Sequence, residues 1–348
     1  MHKTIVFDIG NPGLLENKLF DPIFANKVSH TTLPLIYLYN EAKKVGFEGV
    51  TPDVYLANPD SYPNAVLFSH MRTEFTDRLI EAGVKPLIMT NQESPIIAYR
   101  FYFDLKKSLD GFSHAFLFSG FKNEAEKTEA EFHVMYFPEP YSPLTVVEAA
   151  FENRKLATMI CGNKRVSFTM KRFLAGILSG KFYRELYKER LNVIKHFSAN
   201  PGFDLYGIKW DKPIAGAEAE MRAHVEQCLR GPVDDKTEAL RGYKFNFALE
   251  NTICPGYLTE KIFDPMFAGA VPVYLGAPDI IDFVPKECFV DMRDFKSYAK
   301  LEEFLGNMSE EEYRKYIDAI NRFIGSDKYA LFTQESFAKE VLKILENE

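Results

Sequence analysis

The sequence predicts an α/β protein with two domains, each built on a largely parallel β-sheet. The first observation is length, because 348 residues exceed the usual size of one compact core and suggest two domains of roughly 150 to 180 residues. The second is an alternation of short apolar runs with amphipathic stretches along the chain. The third is a strand, loop, helix and strand unit spanning Lys244–Leu275. Alternating strands and helices produce parallel sheets whose faces are covered by helices.

The first half of the chain contains four predicted strands and two predicted helices. Short apolar or β-branched runs mark the strands, and apolar residues at helical spacing mark the helices. The strands are Thr4–Phe7, Asp53–Leu56, Ala65–Phe68 and Lys85–Met89, and the helices are Leu33–Val45 and Thr73–Ala82. The prolines of Pro138–Pro143 then favour a connection between domains. We therefore expect domains at residues 1–145 and 146–330, followed by a carboxyl-terminal helix within residues 331–348.

The second half continues the alternation. Its predicted strands are Leu156–Cys161, Asp204–Gly207, Lys244–Leu249 and Val271–Leu275, and its predicted helices are a broken stretch at Phe168–Asn200, Thr259–Ala268 and Gln334–Leu345. The Thr259 hydroxyl is expected to accept from a first-turn amide, and Gly269 is expected to close that helix. Ser309 and Glu312 have the spacing of a capping box.

Composition excludes several classes of protein. A net charge of -7 argues against a nucleic-acid partner, so a bound anion would need a local cationic pocket. No window approaches the roughly 18 apolar residues of a membrane span, and the amino end lacks the pattern of a secretory signal, so cytoplasmic residence is the default expectation. Four cysteines lack zinc or redox spacing and are expected to be core thiols. The seven histidines show no paired-ligand spacing, so no metal site is predicted.

The loop Glu250–Leu258 is the first candidate for chemistry because it leaves the carboxyl end of a predicted buried strand, where open parallel sheets bind ligands. Lys261 lies in the first turn of the next helix, where a second cation is unfavourable unless an anion is bound. A helix amino terminus with a lysine can hold a pyrophosphate without a metal. Three structural alternatives stay open: a self-satisfied turn, a solvated Lys261, and a Glu260 that only stabilises the helix instead of binding a ribose.

The stretch Tyr243–Ile280, with its YKF strand, EN pair, TEK segment and AGAVPV strand, resembles the signature of the α1,3/4-fucosyltransferases, glycosyltransferase family 10. The resemblance continues through Phe283–Phe295. It implies a GT-B fold of two Rossmann-like domains facing a cleft, with the acceptor domain first and the GDP-fucose domain second. It also implies that five residues of this stretch bind the donor or lie beside its sugar. They are Glu250, Asn251, Tyr257, Glu260 and Lys261, and Thr259 adds the helix amides.

A second element is Arg184 in YRELYKERL, similar to a family segment whose arginine holds the donor phosphates. A guanidinium can bind phosphate oxygens in a bidentate way. Several cations share this segment, so a solvated face is the structural alternative and Arg190 is the second candidate for the phosphate ligand. Residues Lys164–Lys181 look like an insertion relative to the family pattern.

The third element is Thr90–Pro95, which is similar to the NFESP segment that carries the family's catalytic base. The resemblance makes Glu93 the base, since a glutamate is ordinarily ionised at neutral pH and can accept a proton without special tuning. A glutamate that only forms a turn is the structural alternative. The segment that ends at Pro140 and Tyr141 resembles the end of the family's acceptor domain.

The resemblance implies an inverting enzyme that transfers fucose from GDP-fucose in α1,3 linkage to the GlcNAc of an N-acetyllactosamine-type glycan. No cofactor is expected to be required, and a divalent cation would at most stimulate. A bacterial cytoplasmic location is expected, and peripheral association with the inner membrane stays open. The alternatives are a GT-B transferase that uses another nucleotide sugar and a catalytically silent binding protein on the same scaffold.

Overall fold

The computed structural model of the chain describes residues 3–28, 32–140, 150–164, 183–214 and 218–348. Within these ranges the chain forms two compact units. The first contains the described residues of 3–140 and 331–348, and the second contains the described residues of 150–330. The predicted insertion at Lys164–Lys181 lies outside the described residues except for Lys164, and so does Tyr141.

The first unit contains a six-stranded parallel sheet with strand order β2-β1-β3-β4-β5-β6. The strands are β1 Lys3–Asp8, β2 Phe47–Val50, β3 Ala65–Ser69, β4 Lys85–Thr90, β5 His114–Leu117 and β6 Glu131–Val134. Three of the four strands predicted in this half are confirmed. β2, β5 and β6 were not predicted, because each has only four residues and β6 carries alternating polar side chains.

Helices cover this first sheet. They are Pro22–Val28, Leu33–Lys44, Pro52–Ala57, Glu74–Glu81, Tyr99–Phe103, Leu105–Ser108, Lys122–Ala125 and Gln334–Glu346, with short 3-10 turns at Pro12–Leu14, Lys18–Phe20, Pro59–Ser61 and Ser119–Phe121. The helix Gln334–Glu346 packs against Leu33–Lys44, so the last helix of the chain belongs to the first unit.

The prediction of a strand at Asp53–Leu56 is wrong, because these residues lie in the helix Pro52–Ala57. Pro52 occupies the first helical position, where its fixed φ suits a helix and its missing N–H costs nothing. Asp53 accepts a hydrogen bond from the Thr51 hydroxyl at 2.7 Å and from the Glu16 amide at 2.9 Å. The proline and these two contacts, one local and one from a distant residue, favour a helix where the apolar spacing alone favoured a strand.

The second unit contains a five-stranded parallel sheet with strand order β11-β10-β9-β7-β8. The strands are β7 Lys155–Ile160, β8 Phe203–Tyr206, β9 Tyr243–Leu249, β10 Val271–Leu275 and β11 Val290–Asp291. All four strands predicted in this half are confirmed. Every residue of β10 is buried and β9 is buried except for Lys244, as expected of central parallel strands covered on both faces.

The helices of the second unit are Tyr187–Phe197, Glu218–Cys228, Lys236–Arg241, Glu260–Phe267, Ile280–Phe283, Tyr298–Asn307, Glu310–Ile324 and Asp327–Ala330. Short 3-10 turns occur at Phe151–Asn153, Lys286–Cys288 and Met292–Asp294. The Ser309 and Glu312 capping box is confirmed, and Gly269 follows the helix Glu260–Phe267 with a left-handed φ of 73°. Three cysteines are buried and Cys161 is half-buried. Among the described residues, no helix has the length and apolar character needed to cross a membrane.

Candidate active site

A cavity of about 300 Å³ opens in the second unit beside the carboxyl ends of β7, β8 and β9. Residues just beyond these strands line it: Cys161 and Gly162 after β7, Gly207 after β8, and Asn251 after β9. Because the three strands are parallel, their carboxyl ends meet at one edge of the sheet, which is the edge where such folds bind ligands. The predicted loop and helix therefore border one pocket within a single unit.

Cationic side chains outnumber carboxylates around this pocket. The charged residues that line it are four cations, Lys164, Arg190, Lys236 and Lys261, and two carboxylates, Glu260 and Asp264. A local excess of positive charge on a chain with a net charge of -7 is suited to an anionic ligand. The pocket therefore has the local positive charge that a protein with a net negative charge would need to bind an anion.

Glu250 is fully buried beneath this pocket and is held by Thr259. Its carboxylate accepts a hydrogen bond from the Thr259 amide at 2.8 Å and from the Thr259 hydroxyl at 2.9 and 3.0 Å. Burial raises the pKa of Glu250, while Lys261 and Thr259 act in the opposite direction. Glu250 therefore serves as an internal anchor for the start of the helix Glu260–Phe267.

The expected cap by the Thr259 hydroxyl is wrong in its chemistry. Thr259 stands at the N-cap position, but its side chain accepts no hydrogen bond from a helix amide. The hydroxyl instead contacts the Glu250 carboxylate and accepts from Lys261 Nζ at 2.8 Å. The Thr259 hydroxyl therefore bonds to the buried Glu250 carboxylate in place of a helix amide, which the N-cap rule for the sequence does not predict.

Lys261 links the two carboxylates at the start of the helix. Its Nζ lies 3.4 Å from Glu250 Oε2 and 3.2 Å from Glu260 Oε1. Burial would lower the pKa of Lys261, but the two glutamates outweigh burial and raise it, so the ammonium stays charged. Burial likewise would raise the pKa of Glu260, but Lys261 and Lys236 lower it to about 2. The pocket wall therefore contains fixed charges of both signs.

Arg190 lies in the helix Tyr187–Phe197 and reaches the same pocket. Its Nη2 donates to the Leu249 carbonyl at 2.7 Å, the Glu250 carbonyl at 3.0 Å and Asn251 Oδ1 at 3.0 Å. The side chain is buried, and its guanidinium lies over the Tyr187 ring. Arg190 thus closes the end of β9 and presents a pre-positioned guanidinium to the pocket.

Asn251 and Tyr257 continue this network, since Asn251 Nδ2 donates to the Tyr257 hydroxyl at 3.3 Å and both residues are buried. The loop between them is held from the other side by Asp279, which accepts from the Gly256 amide at 2.9 Å. Gly256 has a φ of 69°, a value that favours glycine.

Arg184 is placed differently from the other predicted donor-binding residues. Its side chain is 69% exposed, pairs with Glu189 at 3.0 Å and does not line the pocket. Its carbonyl accepts from the Thr252 hydroxyl and the Ile253 amide, so its backbone braces the loop. Of the two arginines considered from the sequence, Arg190 is the one that the fold brings to Asn251 and Lys261.

Two further pocket residues, Lys236 and Asp264, were not identified from the sequence. Lys236 Nζ donates to Asp264 Oδ2 at 3.0 Å. Burial lowers the pKa of Lys236, but Asp264 and Glu260 outweigh it and raise that pKa. Asp264 shares a helix face with Glu260 at i+4, which is a detectable spacing, whereas Lys236 lies over twenty residues earlier and only the fold brings it near.

Glu93 lies in the turn that follows β4 in the first unit. Its side chain is exposed, and its amide donates to Asn91 Oδ1 at 2.9 Å. Asn91 is buried, and its carbonyl accepts from the Tyr102 hydroxyl at 3.0 Å. The backbone of this turn is therefore fixed from beneath while the Glu93 carboxylate faces outward at the carboxyl edge of its sheet.

Two α/β units, each with polar or charged residues at the carboxyl edge of a parallel sheet, are the architecture of the GT-B fold. A solved structure of an α1,3-fucosyltransferase with GDP-fucose superposes with a TM-score of 0.53 at 16% identity, covering 100% of this chain and 91% of that one. At that identity the likeness concerns the fold alone, and it confirms the predicted fold class.

The sequence comparison points to one family among the proteins with this fold. Residues 184–336 match the model described as glycosyltransferase family 10 (fucosyltransferase) C-term. This segment contains the whole Tyr243–Ile280 signature and is similar to the family 10 carboxyl-terminal domain, which confirms the resemblance found in the sequence.

Two curated relatives agree with this assignment. An α-(1,3)-fucosyltransferase, FucT, from Helicobacter pylori is 37% identical over 163 residues, 43% of this chain and 33% of the relative. GDP-fucose protein O-fucosyltransferase 3 from Gallus gallus is 36% identical over 99 residues, 26% of this chain and 21% of the relative. The chain thus aligns with about a third or less of the length of these relatives.

Proposed function

We propose that the protein is an inverting fucosyltransferase that transfers fucose from GDP-fucose to a hydroxyl of an acceptor, forming an α1,3 linkage on a glycan. The cationic pocket beside Lys261 and Arg190 carries the proposal, because most of its lining residues, these two included, lie within the segment that matches family 10. GDP-fucose is a pyrophosphate ester, and its leaving group gains negative charge as the glycosidic bond breaks. Fixed cations lower the energy of that charge without rearrangement.

Lys261 and Arg190 are the proposed phosphate ligands. Lys261 stays cationic between Glu250 and Glu260, and Arg190 is held in place by the carbonyls at the end of β9. Glu260 is the proposed acceptor of ribose hydroxyl hydrogen bonds, since its low pKa keeps it ionised. Asn251 and Tyr257 complete the proposed donor site.

Glu93 is the proposed catalytic base. Inversion requires a carboxylate that takes the proton of the acceptor hydroxyl on the face opposite the departing GDP. The outward Glu93 side chain on a fixed turn suits this role, because the side chain is exposed while the backbone beneath it is hydrogen-bonded to Asn91. Its NFESP-like context supports the same role.

Two acceptor classes follow from the relatives. The Helicobacter pylori relative is named as an α-(1,3)-fucosyltransferase, which favours an N-acetyllactosamine-type glycan and a Lewis X-like product. The Gallus gallus relative is named as a protein O-fucosyltransferase, which makes a hydroxyl of a polypeptide the second candidate acceptor. The two classes differ in whether the nucleophile is a sugar hydroxyl or a serine or threonine hydroxyl.

The test is a two-dimensional panel of donors and acceptors with the purified full chain. GDP-fucose, GDP-mannose and UDP-glucose are offered with N-acetyllactosamine, its type 1 isomer and an unstructured serine- and threonine-containing peptide, and products are assigned by NMR. We expect transfer only from GDP-fucose, to O3 of GlcNAc. Transfer only from a UDP-sugar would reject the proposed donor, and a fucosylated peptide without a glycan product would transfer the assignment to the second candidate.

Lys261→Met is the matched variant for the same assay, since methionine retains most of the side-chain volume and removes the charge. Turnover should fall at least about 100-fold, the usual cost of losing a preorganised electrostatic contact. Lys286→Met, which removes a half-exposed lysine that lies outside this pocket, is the control and should keep turnover within about two-fold. Equal losses in both variants would contradict the proposed role of the pocket.

A further inference from the structure

A cluster of metal-binding side chains lies in the first unit, away from the residues discussed above. His114 begins β5, and Glu131 and His133 lie on β6, the edge strand of the sheet. The ligand atoms of the three side chains all lie within 4.8 Å of one another.

The parallel register explains why these three side chains meet. His114 pairs directly with Glu131, and His133 follows Glu131 by two residues on the same strand. Residues two apart on a strand share a face, and registered partners on neighbouring strands lie side by side. Three residues of the two strands therefore project from one face at one place.

The spacing of the ligand atoms fits a shared divalent ion. His114 Nδ1 lies 3.1 Å from His133 Nε2. Glu131 oxygens lie 3.5 Å from His114 Nδ1 and 3.9 Å from His133 Nε2. Two nitrogens that bind one tetrahedral Zn²⁺ at about 2.0 to 2.1 Å are themselves about 3.3 Å apart. The three groups thus need only small rotations to coordinate one ion.

Neighbouring side chains fix the ring of His133 in place. Phe116 stacks on it with ring centroids 4.6 Å apart and an interplanar angle of 15°, and Phe337 of the last helix packs edge-on against Phe116. Both histidines keep about a fifth of their side-chain surface exposed, so an ion can reach them from solvent.

We propose that His114, Glu131 and His133 form a binding site for a divalent late first-row metal ion such as Zn²⁺, which clamps the edge strand β6 to β5. Two imidazoles and a carboxylate are the ligand set of this class of ion, with a water in the fourth position. The site lies near the amino ends of β5 and β6, whereas the turn that carries Glu93 follows the carboxyl end of β4. Metal binding at this site is therefore independent of the proposed transferase activity.

The test is a titration of the metal-free, reduced full chain with Zn²⁺ against a chromophoric chelator. We expect one tight site in the wild type and at least about 10-fold weaker Zn²⁺ binding in each of His114→Gln and His133→Gln. Mutating a residue that only hydrogen-bonds to a metal ligand already lowers metal affinity about 10- to 100-fold. Glu131→Gln should also weaken binding. Its side chain is 67% exposed, so this variant tests the site without disturbing the core.

His196→Gln is the matched control, because His196 also pairs with a glutamate, Glu302, at 2.8 Å, but within the part of the chain that the structure describes this pair is not among the groups of three or more side chains that could hold a metal ion. Its affinity for Zn²⁺ should equal that of the wild type. Imidazole ¹⁵N spectra should show shifts of His114 and His133 with one equivalent of Zn²⁺, and Glu93→Gln should bind Zn²⁺ normally. Wild-type affinity in the two cluster histidine variants, or an equal loss in His196→Gln, would overturn the proposal.

Discussion

Glu93 and Glu250 can be compared because each lies beyond the carboxyl end of a parallel strand in its own unit, Glu93 after β4 and Glu250 after β9. Their surroundings differ completely. Glu93 is exposed and only its backbone is held, whereas the Glu250 carboxylate is buried and accepts three hydrogen-bond contacts from Thr259. The same residue type at the carboxyl edge of a parallel sheet is therefore an exposed carboxylate in one unit and a buried hydrogen-bond acceptor in the other.

The largest effect is expected from the free carboxylate. Glu93→Gln should lower turnover about 10²- to 10⁴-fold, the usual contribution of a positioned base, and leave the thermal midpoint and GDP affinity unchanged because the side chain is exposed. Single-turnover kinetics, calorimetric GDP binding and a thermal melt measure the three quantities. Glu250→Gln should instead lower the thermal midpoint. The comparison fails if Glu93→Gln retains turnover or if the two variants destabilise the protein equally.

The two arginines extend the same contrast between buried and exposed side chains, since Arg190 is buried and Arg184 is 69% exposed. Arg190→Lys should weaken GDP binding about 10-fold or more, because a lysine keeps the charge but cannot reproduce a guanidinium that bridges three acceptors. Arg184→Lys, at a position that is 69% exposed, should change GDP affinity less than about two-fold. Calorimetry on both variants decides the matter, and a larger loss at Arg184 would restore it as the phosphate ligand.

Gly276 tests how tightly Glu250 is packed. A methyl group at this position would lie 2.3 Å from the Tyr274 hydroxyl and 2.5 Å from Glu250 Cγ, both of them buried. Gly276→Ala should therefore lower the free energy of unfolding by about 1 to 3 kcal/mol, the usual cost of overpacking. Gly306→Ala is the control, since its new methyl group meets nothing within 4 Å and a helical alanine is favourable. Chemical denaturation that ranks the two variants in the reverse order would contradict this account.

The smallest effect concerns Glu260 and pH. Its pKa is lowered to about 2 from the ordinary value of 4.5, because Lys261 and Lys236 outweigh the opposing effect of burial. A carboxylate whose pKa is lower in the folded than in the unfolded state stabilises the fold at pH values above its unfolded-state pKa. That contribution is lost as the pH falls toward the folded-state pKa. The difference in unfolding free energy between the wild type and Glu260→Gln should therefore be larger near pH 7 than near pH 3. Denaturation curves at both pH values measure this difference in unfolding free energy. If the difference is the same at pH 7 and pH 3, the ion pairs of Glu260 do not contribute to it.

Sequence alone determined the α/β class, the three longer strands of the first sheet, four of the five strands of the second, and most of the segments that line the cationic pocket. These features depend on periodicity and on contiguous motifs such as Glu250–Lys261, in which partners are close along the chain. The prediction failed at Asp53–Leu56, where a proline and a side-chain hydrogen bond outweighed the apolar pattern.

Only the tertiary structure decided which distant side chains meet. It brought Arg190, rather than Arg184, to Asn251, joined Lys236 to Asp264, turned the Thr259 hydroxyl toward Glu250 and gathered His114, Glu131 and His133. Each of these contacts depends on strand register or helix packing between segments that local sequence rules treat separately. The free energy of a buried charge depends on what surrounds it in three dimensions, so its role becomes visible only when the chain has folded around it.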